Sequence, residues 1–186
     1  MIQELQLIHF VTVTCIVETF FLFLFRFTNS PLTGNAINQW YTNLRWSAVI
    51  LDVLSVLIGF YISKFLYLYL VDKDIISKDN ELLKFLGIVL LVQITHDFSF
   101  YFLIIKNAKK GMSKVMDEFI HYSKSIQTGA VIGDSLMYLM GVPLLFLIYK
   151  NSNDINVFIT LFCLYLTGYF VYEKPRFSIV SSSKLF

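Results

Sequence analysis

The chain has 186 residues, 56% of them apolar, 17% aromatic and 15% charged, with a mean hydropathy of +0.66 and a formal net charge of +2. Soluble domains carry about 25% charged residues, so this composition excludes an ordinary water-soluble module. The small net charge, with no basic patch interleaved with aromatics, excludes nucleic acid as a partner. Cys15 and Cys163 both fall inside apolar runs, which argues against a disulfide framework, and no zinc-type spacing occurs.

Five apolar runs follow in chain order, at about 7–25, 46–70, 82–105, 128–149 and 155–172. Segments of this length cross roughly 30 Å of hydrocarbon as helices, because a helix alone satisfies its own backbone in lipid. The expectation is an all-α integral membrane bundle of about five transmembrane helices, a single domain over 1–186, with the lipid bilayer as its partner. Met1-Ile2-Gln3-Glu4 lacks a basic region, so the first run reads as a retained span rather than a signal peptide. On it Thr12, Cys15, Glu18 and Thr19 share a face. In the 26–45 connection, Trp40 and Trp46 beside Arg45 read as an interfacial belt. The second run carries Arg45, Asp52, Ser55, Gly59 and Ser63 as one polar and small stripe.

Gln93, Asp97 and Tyr101 form an i, i+4, i+8 ladder on the third run, with His96 beside it. The 106–127 connection places Met112, Val115, Met116, Phe119 and Ile120 at helical spacing, which predicts a short amphipathic interfacial helix. Its Lys109, Lys110 and Lys114 suit anionic lipid. Asp134, Tyr138 and Gly141 align on the fourth run, and Thr160, Cys163 and Thr167 on the fifth. The terminal Phe186 spoils a peroxisomal address. Residues 48–59 and 130–141 share the frame A-V-I-x-D-x-L-x-x-L-x-G, the pattern of a parallel two-helix repeat.

Lys and Arg set the orientation. Ten lie on the side of the 26–45 and 106–127 connections and the C-terminal tail, and five on the other. This predicts an outside N-terminus and a cytoplasmic C-terminus, without naming the membrane.

The strongest functional signal is four carboxylates on four different spans: Glu18, Asp52, Asp97 and Asp134. At 1.5 Å of rise per residue, counted from Arg26, Arg45, Lys106 and Gln127, all four lie roughly 10–14 Å inside the same boundary. An ionisable residue at that depth costs about 2.5–3.5 kcal/mol even on lenient scales, so each marks a site. With His96, these are the candidate ion- or proton-binding residues. Ser55, Gln93, Tyr101, Tyr138 and Thr167 are the supporting polar groups. The sequence expectation is that His96 meets a carboxylate from another span. No Glu-x-x-His pairing for a di-metal bundle occurs, and no metal or cofactor is expected.

Gln93-x-x-His96-Asp97-x-x-Phe100-Tyr101 resembles membrane proteins of large algal DNA viruses. So do Gly111-x-x-x-Val115-Met116-Asp117-x-Phe119 and Gly129-Ala130-x-x-Gly133-Asp134-Ser135-x-Met137. This resemblance implies a viral membrane protein and carries no activity. Three functions stay open: cation- or proton-linked transport or a channel, a lipid-modifying enzyme using His96 or a carboxylate, and a non-catalytic membrane scaffold. Whether the chain is an enzyme, and its oligomeric state, are not decided by the residues.

Overall fold

Apolar run length dictates the architecture. The structure, a computed structural model, describes residues 1–28, 36–111, 113–126 and 128–173. Among these residues it is all-helical, with α1 (Leu7–Phe27), α2 (Ala36–Leu44), α3 (Trp46–Asp72), α4 (Glu81–Leu103), α5 (Lys114–Ile126), α6 (Thr128–Ile148) and α7 (Asn153–Tyr172). Five are long and apolar enough to cross a membrane: α1, α3, α4 with the turn that extends it to Asn107, α6 and α7. α5 is the expected amphipathic segment, but Met112 and Gln127, used to place its start and the depth of Asp134, lie outside the described residues. So do Lys174, Arg176 and the tail.

Four spans form a ring. α1 packs on α3 and α6, and α4 closes the circuit by packing on the same two helices. α7 lies against α1 outside the ring, which makes α1 the central helix, with 61% of its apolar window buried against 11% for α4. α2 and α5 pack on each other at the end of the bundle where α1 stops and α3 starts.

The α1–α7 seam explains one set of polar faces. Thr12 meets Thr160 at 2.9 Å and Thr19 meets Thr167 at 2.8 Å, both pairs separated by 148 residues. A constant offset means parallel helices in register. Both helices carry the spacing T-x-x-C-x-x-x-T, so Cys15 and Cys163 fall level with one another in that register. The Thr19 hydroxyl also reaches the carbonyls of Cys15 (2.7 Å) and Cys163 (3.3 Å). Small residues let the main chains approach while hydroxyls stay satisfied, the arrangement that helix pairs in lipid favour.

The repeat frame has a structural counterpart across the ring. The Tyr138 hydroxyl on α6 donates to the Val56 carbonyl on α3 at 3.2 Å, and these residues are 82 apart, the offset between the two frames. Gly59 and Gly141 occupy the same frame position, and each is pressed by an aromatic ring of the other helix. A Cβ on Gly59 would lie 2.1 Å from the Tyr138 hydroxyl oxygen, and one on Gly141 would lie 2.9 Å from Phe60 Cζ. Phe60 and Tyr138 pack edge to face at 5.0 Å. With Phe10, Val13, Val142 and Leu145, all fully buried, they fill the ring interior beyond the carboxylate level.

The interfacial belt is a correction. Trp40 is buried in α2, a helix that an Asn- and Gln-containing connection hides from an apolar-run search, whereas Arg45 is exposed and stacks over Tyr172 at 5.1 Å. The Gly59 contact makes a prediction: Gly59→Ala displaces Tyr138 and costs about 1–3 kcal/mol by overpacking. Adding Tyr138→Phe, which removes the clashing oxygen, restores most of the loss in a detergent thermal-unfolding assay. No recovery in the double variant would contradict this packing.

Candidate proton or cation site

Each carboxylate reaches the ring interior from its own helix. Glu18 projects from the middle of α1 and is 1% exposed, while Asp52, Asp97 and Asp134 on α3, α4 and α6 are half-buried. Glu18 interacts electrostatically with Asp52 and Asp134, and Asp134 with Asp97 and Asp52. Tyr122 of α5 is within electrostatic reach of all four. The four groups form one cluster at the α2/α5 end of the ring.

Two hydrogen-bonded pairs make up the cluster. In the first, the Tyr41 hydroxyl of α2 lies 2.9 Å from Glu18 Oε1 and 3.0 Å from Asp52 Oδ2, and Trp40 Nε1 donates to the same Asp52 oxygen at 3.1 Å. Glu18 Oε2 is buried with no hydrogen-bond partner. In the second pair, the Asp134 carboxyl is set against the Asp97 carboxyl. Asp97 also accepts from Gln93 Nε2 and faces His96 Nδ1 at 3.2 Å. Gln93 is held in turn by Ser135, whose hydroxyl donates to Gln93 Oε1 at 2.8 Å.

The amphipathic helices cover this end. Phe119 of α5 stacks near Trp40 at 4.7 Å and near Phe100 of α4 at 5.2 Å, and Asn43 Nδ2 donates to Glu118 at 2.8 Å. Burial and the adjacent Glu18 and Asp52 hold the Tyr41 phenol well above its ordinary value, so Tyr41 keeps its proton. Burial and the four carboxyls do the same to Tyr122.

Several expected supporting groups stand elsewhere. Ser55 is exposed on the outer face of α3, because at about 100° per residue it lies roughly 60° around the helix from Asp52 and roughly 80° from Ser63. Tyr101 is 43% exposed on α4. His96 meets no carboxylate from another span. Its side chain is 54% exposed and pairs with Asp97, its sequence neighbour, because their diverging Cα–Cβ bonds still leave Nδ1 within reach of the next carboxyl. Thr167 belongs to the α1–α7 seam, and Glu18 departs from Thr12, Cys15 and Thr19 by facing the ring. Gln93 and Tyr138 are buried next to the cluster.

The sequence reading missed Trp40 and Tyr41, although the aromatic pair at i, i+1 in an otherwise polar stretch was visible. It also takes Arg26 as a boundary marker. His9 is buried, its Nδ1 accepting from Gln6 N at 3.0 Å. Arg26 is 2% exposed and donates to Thr42 Oγ1 (2.9 Å) and to the Val171 carbonyl (2.6 Å), tying α1 to α2 and to the end of α7.

Among the described residues, no Lys or Arg side chain forms an ion pair with any of the four carboxyls. No group of three or more His, Cys, Asp or Glu there is placed to hold a metal ion. The cluster's titratable groups are four carboxyls with the His96 imidazole beside them, a set suited to taking up and releasing protons.

Tyr41→Phe removes the hydroxyl that Glu18 and Asp52 share. It leaves buried carboxyl oxygens unsatisfied and lowers stability by about 1–3 kcal/mol for each such group. Thermal unfolding in detergent measures this, and an unchanged midpoint would show that the hydroxyl does not hold the pair. Compared with protein-family models, curated proteins and solved structures, the chain matches none of them.

Proposed function

We propose that this polytopic membrane protein binds protons or small cations at the Glu18, Asp52, Asp97 and Asp134 cluster and couples that binding to transport. One observation carries the reading: four carboxyls, one from each helix of the ring, meet at one level without a Lys or Arg counter-charge among the described residues. Structural polar groups have no reason to pay the intramembrane desolvation cost four times at the same depth.

The geometry favours gated access over an open channel. Beyond the carboxyl level, Phe60, Tyr138 and Val56 close the ring axis, and Ser55 faces outward, so no polar path continues toward Ser63. Access runs from the α2/α5 end, beneath Phe119 and Tyr122. The ten-to-five excess of Lys and Arg supports placing that end in the cytoplasm. The exposed Lys109, Lys110 and Lys114 beside α5 then meet anionic headgroups.

A membrane enzyme is the second reading. It rests on the exposed His96 held by Asp97 on α4, the least buried span, where a dyad of acid and base faces sideways. A scaffold, viral or otherwise, is the third.

Proton and cation flux into proteoliposomes tests transport. Wild type gives flux, and Asp52→Asn and Asp134→Asn reduce it by about tenfold or more while remaining folded, the scale of losing one positioned acid or base. Absent wild-type flux removes the transport reading. Thiol labelling at introduced cysteines in place of Asp79 and Lys110 tests sidedness, with Asp79 reached from outside and Lys110 from within. Labelling of both from one side would end the orientation.

A further inference from the structure

The identity of the bound ligand follows from counting protons. Tyr41 has one hydroxyl proton and two carboxyl oxygens at hydrogen-bond distance, Glu18 Oε1 and Asp52 Oδ2. It can donate to only one of them, so the other contact needs a proton carried by a carboxyl. The Asp97–Asp134 contact has the same requirement, since two carboxylates contain no donor between them.

The surrounding donors say which member of each pair is ionised. Asp52 Oδ2 receives the Trp40 indole N–H, and Asp97 receives the Gln93 amide and faces His96. Glu18 and Asp134 have no N–H donor among the described contacts. Glu18 Oε2 is buried without a hydrogen-bond partner, a position a neutral acid carbonyl tolerates far better than a carboxylate oxygen. Burial and its neighbours keep the Tyr41 phenol protonated, so it donates to Asp52 while accepting from Glu18.

We propose that the cluster is a two-proton site, in which Glu18 and Asp134 are neutral acids donating to Tyr41 and Asp97, and Asp52 and Asp97 are their ionised partners. The inference rests on the cluster being the functional centre and names its ligand as the proton rather than a metal cation. Each proton leaves as H⁺ from a carboxyl and returns to the same oxygen, with no other bond made or broken. His96, half-exposed beside Asp97, faces Asp97 on its own helix. Asp134 of α6 and Tyr122 of α5 are the titratable groups beyond it.

The test uses the full-length protein in detergent and in liposomes. Infrared difference spectra at neutral pH are expected to contain carboxylic-acid carbonyl bands, with one component lost in Glu18→Gln and another in Asp134→Asn. Both amides mimic a neutral acid and donate in its place, so these variants keep their unfolding midpoint within about 3 °C of wild type. Asp52→Asn and Asp97→Asn withdraw the ionised acceptors from Trp40, Tyr41, Gln93 and His96, and lower the midpoint by about 6 °C or more. If these two fail to fold, the Glu18 and Asp134 spectra still decide the matter.

A hydrophobic carbodiimide, which reacts with buried protonated carboxyls, is expected to label Glu18 and Asp134 irrespective of added Na⁺, K⁺ or Ca²⁺. Absence of acid bands, or band loss in Asp52→Asn and Asp97→Asn instead, would overturn the assignment. Complete protection from labelling by one of these cations would replace the proton with that cation. Acid bands without proteoliposome flux would overturn transport and leave the two-proton site standing. Flux without acid bands would do the reverse.

Discussion

Four carboxyl groups placed within one ring of helices, at one level and with no Lys or Arg ion pair among the described residues, constrain everything built around them. Like charges in a low-dielectric interior cannot all stay ionised, so this level of the bundle must be supplied with donors. Trp40 and Tyr41 supply one pair, and Gln93 and His96 the other. The helix α2 exists at this position because its two aromatic residues must reach into the ring. Its polar residues then face away, with Thr42 and Asn43 exposed and engaged to Arg26 and Glu118. The same constraint explains Ser135, which has no carboxyl of its own to serve but fixes the Gln93 amide that does.

Above that level the ring does the opposite. Gly59 and Gly141, equivalent in the repeated frame, admit Tyr138 and Phe60, and the two rings close the axis. Two parallel helices related by an 82-residue offset thus contribute both an acid and a seal, each at matching height. The repeated frame thus matches in both its polar and its small positions: Asp52 and Asp134 sit in the cluster, and the glycines seven residues later receive the two rings.

Much of this was legible in the residues. Run length gave five helices because hydrocarbon thickness leaves no alternative, and the shared depth of Glu18, Asp52, Asp97 and Asp134 pointed to one level. What was not legible depends on rotation about a helix axis rather than on height. Within the stripe from Arg45 to Ser63, Ser55 stands about 60° around the helix from Asp52, so Asp52 turns inward while Ser55 turns out. Thr167 and Thr19 share a spacing with the site residues but serve a separate parallel seam with α7. α2 escaped because a nine-residue amphipathic helix with two Asn and one Gln resembles a loop to any search for apolar runs.

His96 is the residue where rotation matters most. Sequence neighbours on a helix diverge by about 100°, which suggested that His96 and Asp97 serve different partners. The structure instead folds the imidazole back onto Asp97 and stacks it on Phe100 at 5.9 Å, leaving more than half of the side chain exposed. Asp97 consequently has an exposed titratable neighbour in His96, while Glu18, on the central helix, is enclosed at 1% exposure. Exposure thus differs across the set, from Glu18 at 1% through the half-buried Asp52, Asp134 and Asp97 to the exposed His96. The cluster therefore links the enclosed centre of the bundle, at Glu18 on α1, to the least buried span, at Asp97 and His96 on α4.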